Sequence, residues 1–389
     1  MQSSAYPRGT TAAPKRTGRL RVAALSSPGG FSGLPDAVLR ELGKYCEIVA
    51  VIDGLRIPLW VRLLTAARTF RPRRKDWARR YYSARGRYVK AIRSLLQRIS
   101  RCERELASLQ GSYDLIFQFG ALFGALKRPD RCPLVMQIDF TTRLAEEYFP
   151  GWLPSSPSET LDWNNLEGEL YRNADLILVT NSLVQESVVS HYGASAEKVA
   201  VVGMGAHIEL LSEDFSKPQT RVLVFAGHDF DRHGGGVALE IFQGVRRHFS
   251  DASFKLLTNR MVSAPGVENL GIIPHPRFAE TLREASVALM PAHVGGYQTI
   301  TEAMAAKCLC VVASGNPHLH GLIRNGETGL TFPFTEPDTA VGQIVEYLRE
   351  PSRLLAIGQQ AREHVLRECT WPSVVARVWD ELQRRFNLA

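Results

Sequence analysis

The sequence predicts an α/β protein with two doubly wound halves that face each other across a cleft. Short apolar runs of strand length alternate with segments of helical period, a pattern typical of parallel βαβ units. This alternation begins twice, near Leu20 and again near Arg221, with a polar stretch at 211–219 between the two halves. The 389 residues are enough for two domains. Ligands of such sheets bind outside the carboxyl ends of the strands, so we expect the binding site in the cleft.

Individual elements follow from the same alternation. The first half begins with a strand at 20–25, a glycine-bearing turn and a helix at 35–45. Its other strands are predicted at 48–52, 114–118, 134–138, 176–180 and 199–202. The second half is predicted to contain a strand at 221–226, a turn at 227–236, a helix at 237–248 and further strands at 254–257, 287–290 and 310–313.

Composition excludes several classes of protein. Hydrophobic residues make up 45% and charged residues 22%, which is typical of globular domains and not of disordered chains. No apolar run approaches the roughly 18 residues of a membrane-spanning helix. The six cysteines form no C-x-x-C pair, so we expect a reducing, cytoplasmic location. Residues 1–19 lack the apolar core of a secretion signal and are interpreted as a disordered tail, with an organelle transit peptide the weaker alternative.

The basic charge is concentrated in one insertion. Residues 56–104 contain 14 arginines and two lysines against Asp76 and Glu103, which exceeds the net charge of +8 for the whole chain. An apolar stripe at helical spacing is predicted in its second part, comprising Val89, Ile92, Leu96, Ile99, Leu106 and Leu109. Lys90, Arg98, Arg101 and Arg104 are expected to lie largely off that stripe.

Three functions are open for this insertion. It could be a solvated helical hairpin packed on the first domain, or an attachment site for an anionic membrane surface. The interleaved aromatic residues, among them Trp60 and Trp77, suit the membrane interface. Nucleic-acid binding is the least favoured alternative, because the chain carries no recognised nucleic-acid module.

Three turns at strand ends carry the features of an anion site. Gly29 and Gly30 follow the first strand, where missing side chains let backbone amides approach an anion. The turn at 227–236 combines glycines with Arg232, whose guanidinium can grip two phosphate oxygens. Its Asp229 and Asp231 form a D-x-D, which we interpret as turn and cap carboxylates in preference to metal ligands.

The third turn precedes a predicted helix near Thr301. Gly295 and Gly296 leave backbone amides free at the helix start, and Thr299 and Thr301 could cap the helix or donate to a phosphate. Glu302 lies in the first turn, where the helix dipole favours a carboxylate. Such a carboxylate could accept both hydroxyls of a ribose or simply act as a cap.

Several blocks together resemble family 4 glycosyltransferases of the GT-B fold. The most specific are 301–313 (TEAMAAKCLCVVA), 322–332 (LIRNGETGLTF) and 225–235 (FAGHDFDRHGG). Segments 192–202, 114–119, 137–141 and the Thr-Trp-Pro at 370–372 are also similar to that family. The resemblance implies two Rossmann-like domains at 20–213 and 214–368, a basic helical insertion at about 56–110 in the first, and a C-terminal helix at 369–389 that crosses back to the first domain.

The resemblance also implies a mechanism and a set of site residues. It implies a retaining, metal-independent transfer, without a cofactor, from a UDP- or GDP-linked sugar in the second domain to a glycan or glycolipid acceptor in the first. Arg232 and His233 would stabilise the diphosphate, Glu302 would hold the ribose, and Asp139 would orient the acceptor. The other donor-binding candidates are Gly29, Gly30, Gly227, His228, His293, Gly295, Gly296, Tyr297, Gln298 and Thr299.

The chain departs from the family pattern at three positions. Val294 stands where a second glutamate is usual, and His233 and His228 replace basic residues, so binding of the diphosphate should be weaker and dependent on pH. We expect an active enzyme. The alternative is a catalytically silent GT-B protein that binds a sugar nucleotide or a partner enzyme, and an epimerase or phosphorylase is a third. His318 and His320 are expected to lie in a solvated or supporting loop and not to bind metal.

Overall fold

The computed structural model describes residues 19–27, 33–129, 132–153 and 156–387, and they form two six-stranded parallel sheets. The strands of the first sheet are β1 (Arg21–Ser26), β2 (Glu47–Asp53), β3 (Leu115–Phe119), β4 (Leu134–Ile138), β5 (Leu176–Val179) and β6 (Val199–Val201). Those of the second are β7 (Val222–Ala226), β8 (Ser253–Leu257), β9 (Val267–Asn269), β10 (Val287–Met290), β11 (Leu309–Ala313) and β12 (Leu330–Phe332).

Thirteen α-helices accompany these strands in the described ranges. In the first half they are α1 (Leu34–Leu42), α2 (Leu59–Thr69), α3 (Arg74–Val89), α4 (Ile92–Ser108), α5 (Thr142–Tyr148), α6 (Pro157–Asn173) and α7 (Ser182–Ser190). In the second half they are α8 (Gly235–His248), α9 (His275–Glu284), α10 (Tyr297–Ala305), α11 (Pro337–Arg349), α12 (Pro351–Glu368) and α13 (Trp371–Phe386). None of the described helices is long and apolar enough to cross a membrane.

The strand orders are β2-β1-β3-β4-β5-β6 and β12-β11-β10-β7-β8-β9. Both sheets are doubly wound, as predicted, and every residue of the central strands β3, β4 and β5 is buried. Burial on both faces explains why these strands appear in the sequence as continuous apolar runs. Every strand predicted from the sequence is present to within two residues. The prediction missed β9 and β12, which have three residues each.

The last helix ties the end of the chain to the first sheet. Trp371 and the apolar face of α13 pack against β1, β3 and β5 from the side that α1 also covers. A Cβ atom on Gly205 would lie 2.2 Å from the Trp371 ring, so only glycine fits at that position. Tyr45, which follows α1, stacks on Trp379 with ring centroids 5.4 Å apart.

The basic insertion forms α2, α3 and α4, and its apolar stripe differs from the prediction. Leu95 is fully buried on α4, whereas Leu96 is 49% exposed. Arg98 is 5% exposed and donates to the backbone oxygens of Leu122 and Val89, each at 2.7 Å. Arg101 likewise donates to backbone oxygens in the segment after β2. The expectation that these two arginines lie off the packed face is therefore wrong, because their guanidinium groups satisfy carbonyls of the first domain.

Replacing Arg98 with methionine should lower the free energy of unfolding by about 2 kcal/mol or more, because two charge-assisted hydrogen bonds disappear and two carbonyl groups lose their partner. Burial lowers the pKa of Arg98 to about 10, so the side chain is charged at neutral pH. Chemical denaturation measures the effect. Arg93→Met on the exposed side of α4 is the matched control and should change stability by less than about 0.5 kcal/mol.

Candidate active site between the two sheets

A cavity of about 630 Å³ lies where the carboxyl ends of the two sheets face each other. Its walls come from the segments that follow β1, β3 and β4 in the first domain and β7 and β10 in the second. This is the position that doubly wound sheets use for ligands. The predicted site residues that line the cavity are Asp139, Arg232, His233, Gly295, Gly296, Tyr297, Gln298 and Thr299.

The turn before α8 is closely packed, and glycines make this possible. Gly234 is the N-cap of α8 with φ of 77°, and a Cβ atom there would lie 2.4 Å from the backbone oxygen of Pro291. A Cβ atom on Gly227 would lie 2.7 Å from the Cβ atom of His233. The turn places Arg232 across the cleft, with its Cζ atom 4.9 Å from the ring centroid of Phe149 in the first domain.

Both aspartates of the D-x-D motif have protein partners. The Oδ1 atom of Asp229 accepts from the backbone N–H of Arg232, three residues on, at 3.1 Å, as a capping carboxylate does. Asp231 pairs with Arg260 at 2.8 Å. Within the part of the chain that the structure describes, no group of three or more His, Cys, Asp or Glu side chains is placed to hold a metal ion together.

The turn before α10 forms the opposite part of the same wall. Gly295 and Gly296 have φ values of 89° and 85°, in the left-handed region that favours glycine. A Cβ atom on Gly296 would lie 2.7 Å from the Met290 side chain, whereas the space around Gly295 is open. Thr301 is fully buried and donates to carbonyls of its own helix, so it neither caps the helix nor reaches the cavity.

Tyr297 and Gln298 bind the segment that joins the two domains. The Tyr297 hydroxyl donates to the backbone oxygen of Met204. The side-chain amide of Gln298 donates to Gly205 at 3.1 Å and accepts from the backbone N–H of His207 at 3.2 Å. Both residues line the cavity, but these polar atoms already hold the connection between the domains.

Glu302 is buried behind the cavity wall and pairs with a histidine that the sequence analysis did not select. Its Oε2 atom lies 2.8 Å from the Nε2 atom of His275, the first residue of α9. Burial raises the pKa of Glu302, and the neighbouring His275 acts in the opposite direction. Because α10 begins at Tyr297 and not near Thr301, Glu302 lies in the second turn of the helix, and the expectation of a first-turn carboxylate is wrong. One of its carboxylate oxygens is held by His275.

Some predicted site residues do not contribute to the cavity wall. Gly227, His228 and His293 lie outside it, and the His293 ring instead packs on Phe334 with centroids 4.0 Å apart. Gly29 and Gly30 fall outside the described residues.

His318 joins the two domains and was not predicted as a cavity residue. Its ring stacks on Phe140 of the first domain, with centroids 4.7 Å apart and planes 16° apart. Its Nδ1 atom accepts from the backbone N–H of Gly295 at 3.2 Å. Burial, together with the charge of Arg232, lowers the pKa of His318 to about 4. The imidazole is therefore neutral at pH 7. Of the two expected roles, a solvated or a supporting loop, the structure shows the supporting one, because His318 is largely buried and accepts from the backbone of Gly295.

The polar side chains that the first domain contributes to the described lining are acidic or neutral. Asp139 is open to the cleft, but the protein around it desolvates the carboxylate and raises its pKa. Glu167 is buried and accepts hydrogen bonds from the backbone of Thr142 and from the hydroxyls of Tyr171 and Tyr192. Burial also raises the pKa of Glu167.

The two facing sheets with one cleft define the GT-B architecture. The family described as glycosyl transferase-like matches residues 238–380. A D-inositol 3-phosphate glycosyltransferase from Corynebacterium glutamicum is 21% identical over 54% of this chain, which spans 58% of that relative's length. A second protein of that name, from Catenulispora acidiphila, is 22% identical over 65% of this chain and 68% of its own length. The chain is thus similar in sequence to glycosyltransferases over part of its length.

Solved structures confirm the fold. Sucrose-phosphate synthase from Thermosynechococcus elongatus superposes with a TM-score of 0.62 at 15% identity, over 95% of this chain and 100% of that one. The HepE protein of Anabaena in complex with UDP also gives 0.62, at 13% identity, over 94% and 100%. WaaG, a glycosyltransferase involved in lipopolysaccharide biosynthesis, gives 0.58 at 14% identity, over 92% and 98%.

The low pKa of His318 predicts a loss of stability in acid. Between pH 6.5 and about 4 the unfolded chain takes up a proton at this residue that the folded protein does not, so the free energy of unfolding falls as the pH falls. His318→Gln should remove up to about 2 kcal/mol of the stability difference between pH 7 and pH 5. Urea unfolding at the two pH values measures it. The control is His320→Gln, because His320 is exposed. This variant should show the same difference in stability between the two pH values as the unchanged protein.

Proposed function

We propose that the protein is a retaining, metal-independent glycosyltransferase of family 4 that moves a sugar from a nucleotide diphosphate to an acceptor hydroxyl. The observation that carries the proposal is the arrangement of Arg232 beside two glycine-capped helix starts at one cavity wall. The C. glutamicum relative is named as a glycosyltransferase, which agrees with this class of reaction. The proposal does not extend that relative's acceptor to this protein.

The geometry suits a departing diphosphate. Helix N-termini offer free backbone N–H groups and a positive dipole end, and both favour phosphate oxygens. Arg232 adds a charged donor that would strengthen its contact as the bond between the anomeric carbon and the phosphate oxygen breaks. The acceptor oxygen then bonds to the same carbon from the side of the leaving group, and its proton passes to the phosphate oxygen. Asp139, across the cleft, would orient the acceptor.

The nucleotide would lie along the second domain. Glu302 would accept the ribose hydroxyls, sharing its carboxylate with His275 or exchanging that contact. The HepE structure contains UDP, which makes uridine nucleotides the first to test, with GDP second. No further cofactor is proposed.

A catalytically silent protein that binds a sugar nucleotide is the second candidate. Val294 lines the cavity where the family usually has a glutamate, so one contact to a donor sugar is lost. The variant Val294→Glu distinguishes the two functions. A large gain of transfer activity would indicate a degenerate site, whereas a loss would indicate a remodelled but active one.

Binding of the nucleotide is tested by thermal stabilisation with UDP, GDP, ADP, dTDP and CMP. One nucleotide should raise the Tm, and Arg232→Ala should weaken its binding about ten- to a hundredfold because a charge-assisted hydrogen bond is lost. Glu302→Ala should also weaken it.

The matched control is Arg221→Ala, since this half-exposed arginine pairs with Asp251 away from the cavity. It should leave the affinity unchanged. No stabilisation by any of the five nucleotides at millimolar concentration would contradict the donor site.

The surface formed by α2 and α3 is proposed to attach the protein, as a peripheral cytoplasmic enzyme, to an anionic membrane. None of the described side chains of α3 is buried, and Val61 is the one buried residue of α2. Apolar side chains on this surface are exposed between many arginines, namely Leu59, Trp60, Leu63, Leu64, Phe70 and Tyr82. Leu55, which lines the cavity, lies just before α2, so the acceptor side of the cleft adjoins this surface. That position fits a lipid-linked acceptor.

Vesicle flotation tests the membrane proposal. The protein should bind vesicles with 30% phosphatidylserine more tightly than neutral ones, with binding that weakens as salt increases. Leu63→Ser should weaken binding about tenfold, because one leucine no longer enters the apolar layer. Leu161→Ser on α6 is the control, since Leu161 is 59% exposed and Leu63 is 63% exposed. Equal loss in both variants, or no preference for anionic vesicles, would contradict the proposal.

A further inference from the structure

The acceptor side of the cavity contains a buried side chain whose polar atoms have no partner. Gln137, near the carboxyl end of β4, lines the cavity and is 2% exposed. Both its Nε2 and its Oε1 atoms are buried without a hydrogen bond. A buried amide whose donor and acceptor are both unsatisfied lowers the stability of the folded protein by about 1–3 kcal/mol. A glutamine at this position is therefore best explained by a ligand that binds its amide.

The neighbouring polar groups are already satisfied by protein. Thr141 shares a hydrogen bond with Ser187 at 2.7 Å, and Thr142 accepts from the Trp163 ring at 3.1 Å. Glu167 accepts three hydrogen bonds, as described above. Of the polar side chains that β4 and the segment 139–142 after it bring to this wall, Gln137 and Asp139 are therefore the ones left to meet a ligand. They lie two residues apart, which places them on the same face of the chain as it leaves β4.

The charged side chains of this wall indicate that the ligand carries no anionic group. The charged side chains that the first domain contributes to the described lining are the two carboxylates of Asp139 and Glu167. The one arginine of the described lining, Arg232, comes from the donor side. A phosphate or carboxylate on the acceptor substrate would thus face two acidic side chains, and the first domain contributes no lysine or arginine to the described lining that could balance the repulsion.

The rest of the wall is apolar and largely aromatic. Phe119, Phe123, Phe140, Phe149 and Trp152 line the cavity from the first domain. Aromatic faces pack against apolar chains and against the C–H faces of sugar rings, and their negative faces do not attract an anionic group.

We infer that the acceptor is an uncharged polyhydroxylated compound with an apolar substituent, and that Gln137 and Asp139 determine this specificity by binding neighbouring hydroxyls. The amide offers an NH₂ donor group and an oxygen acceptor, and the carboxylate offers a second acceptor group, which matches a pair of hydroxyls. The inference rests on the proposed function and names the substrate class of its acceptor side.

The test measures binding by calorimetry for three probes, without nucleotide. They are n-octyl β-D-glucoside below its micelle-forming concentration, its carboxylate counterpart n-octyl β-D-glucuronide, and glucose. The neutral glucoside should bind at least tenfold more tightly than either of the others. Asp139→Asn should narrow its advantage over the glucuronide, because a repelling charge is removed.

Gln137→Met keeps the size of the side chain and removes the amide. It should weaken binding of octyl glucoside about tenfold, leave the UDP-induced shift in Tm unchanged, and keep or raise the Tm of the free protein, since an unsatisfied buried group is gone. Gln118→Met is the matched control. The amide of Gln118 is also buried, but it donates to Gly120 and Phe123 and is not part of the cavity wall, so this variant should lower the Tm without changing affinity.

Three results would overturn the inference. They are tighter binding of the glucuronide, no binding of octyl glucoside, and an unchanged affinity in Gln137→Met. Failure of the proposed function would show separately, as a missing response to every nucleotide.

Discussion

The cleft depends on how the segment that joins the two sheets is held. Its backbone is bound at both ends by side chains of the last helices. Arg377 of α13 donates to the carbonyl of Val202 at 2.9 Å. Arg362 of α12, 3% exposed, donates to the carbonyls of residues 211–213. Between these points Tyr297 and Gln298 bind residues 204–207. A connection with so many fixed carbonyls sets the relative position of the two sheets, and therefore the shape of the cavity.

Residues 204–207 of this segment are held by the first turn of α10, which also forms part of the proposed donor site. The same short helix thus presents Gly295 and Gly296 to the cavity and Tyr297 and Gln298 to the connection. A ligand that shifts the start of α10 therefore acts on the connection through the side chains of Tyr297 and Gln298, which directly follow Gly296. The basic insertion supports the other wall in a similar way, since Arg98 holds the carbonyl of Leu122, a residue of the cavity lining.

The sequence predicted the strands well and the partners of single side chains poorly, and both results have physical causes. A central parallel strand such as β4 is buried on both faces, so its composition alone reveals it. In the sequence Arg98 resembles a surface residue, because no neighbouring residue indicates that its guanidinium will donate to the carbonyl of Leu122. His318 meets Phe140, and Glu302 meets His275, only after the chain has folded. The unsatisfied amide of Gln137 is also a property of the packed structure, invisible in the sequence.

The backbone N–H of Gly295 has a protein acceptor. In this structure His318 accepts its hydrogen bond, and it can do so because burial keeps the imidazole neutral and its Nδ1 lone pair free. A phosphate that binds this amide has to replace His318 as the acceptor. The replacement exchanges a neutral acceptor for a charged one, which strengthens the hydrogen bond. Arg232, whose charge opposes protonation of His318, then faces an anion and not the imidazole ring. At the proposed donor site, this exchange would favour phosphate over water or a neutral ligand.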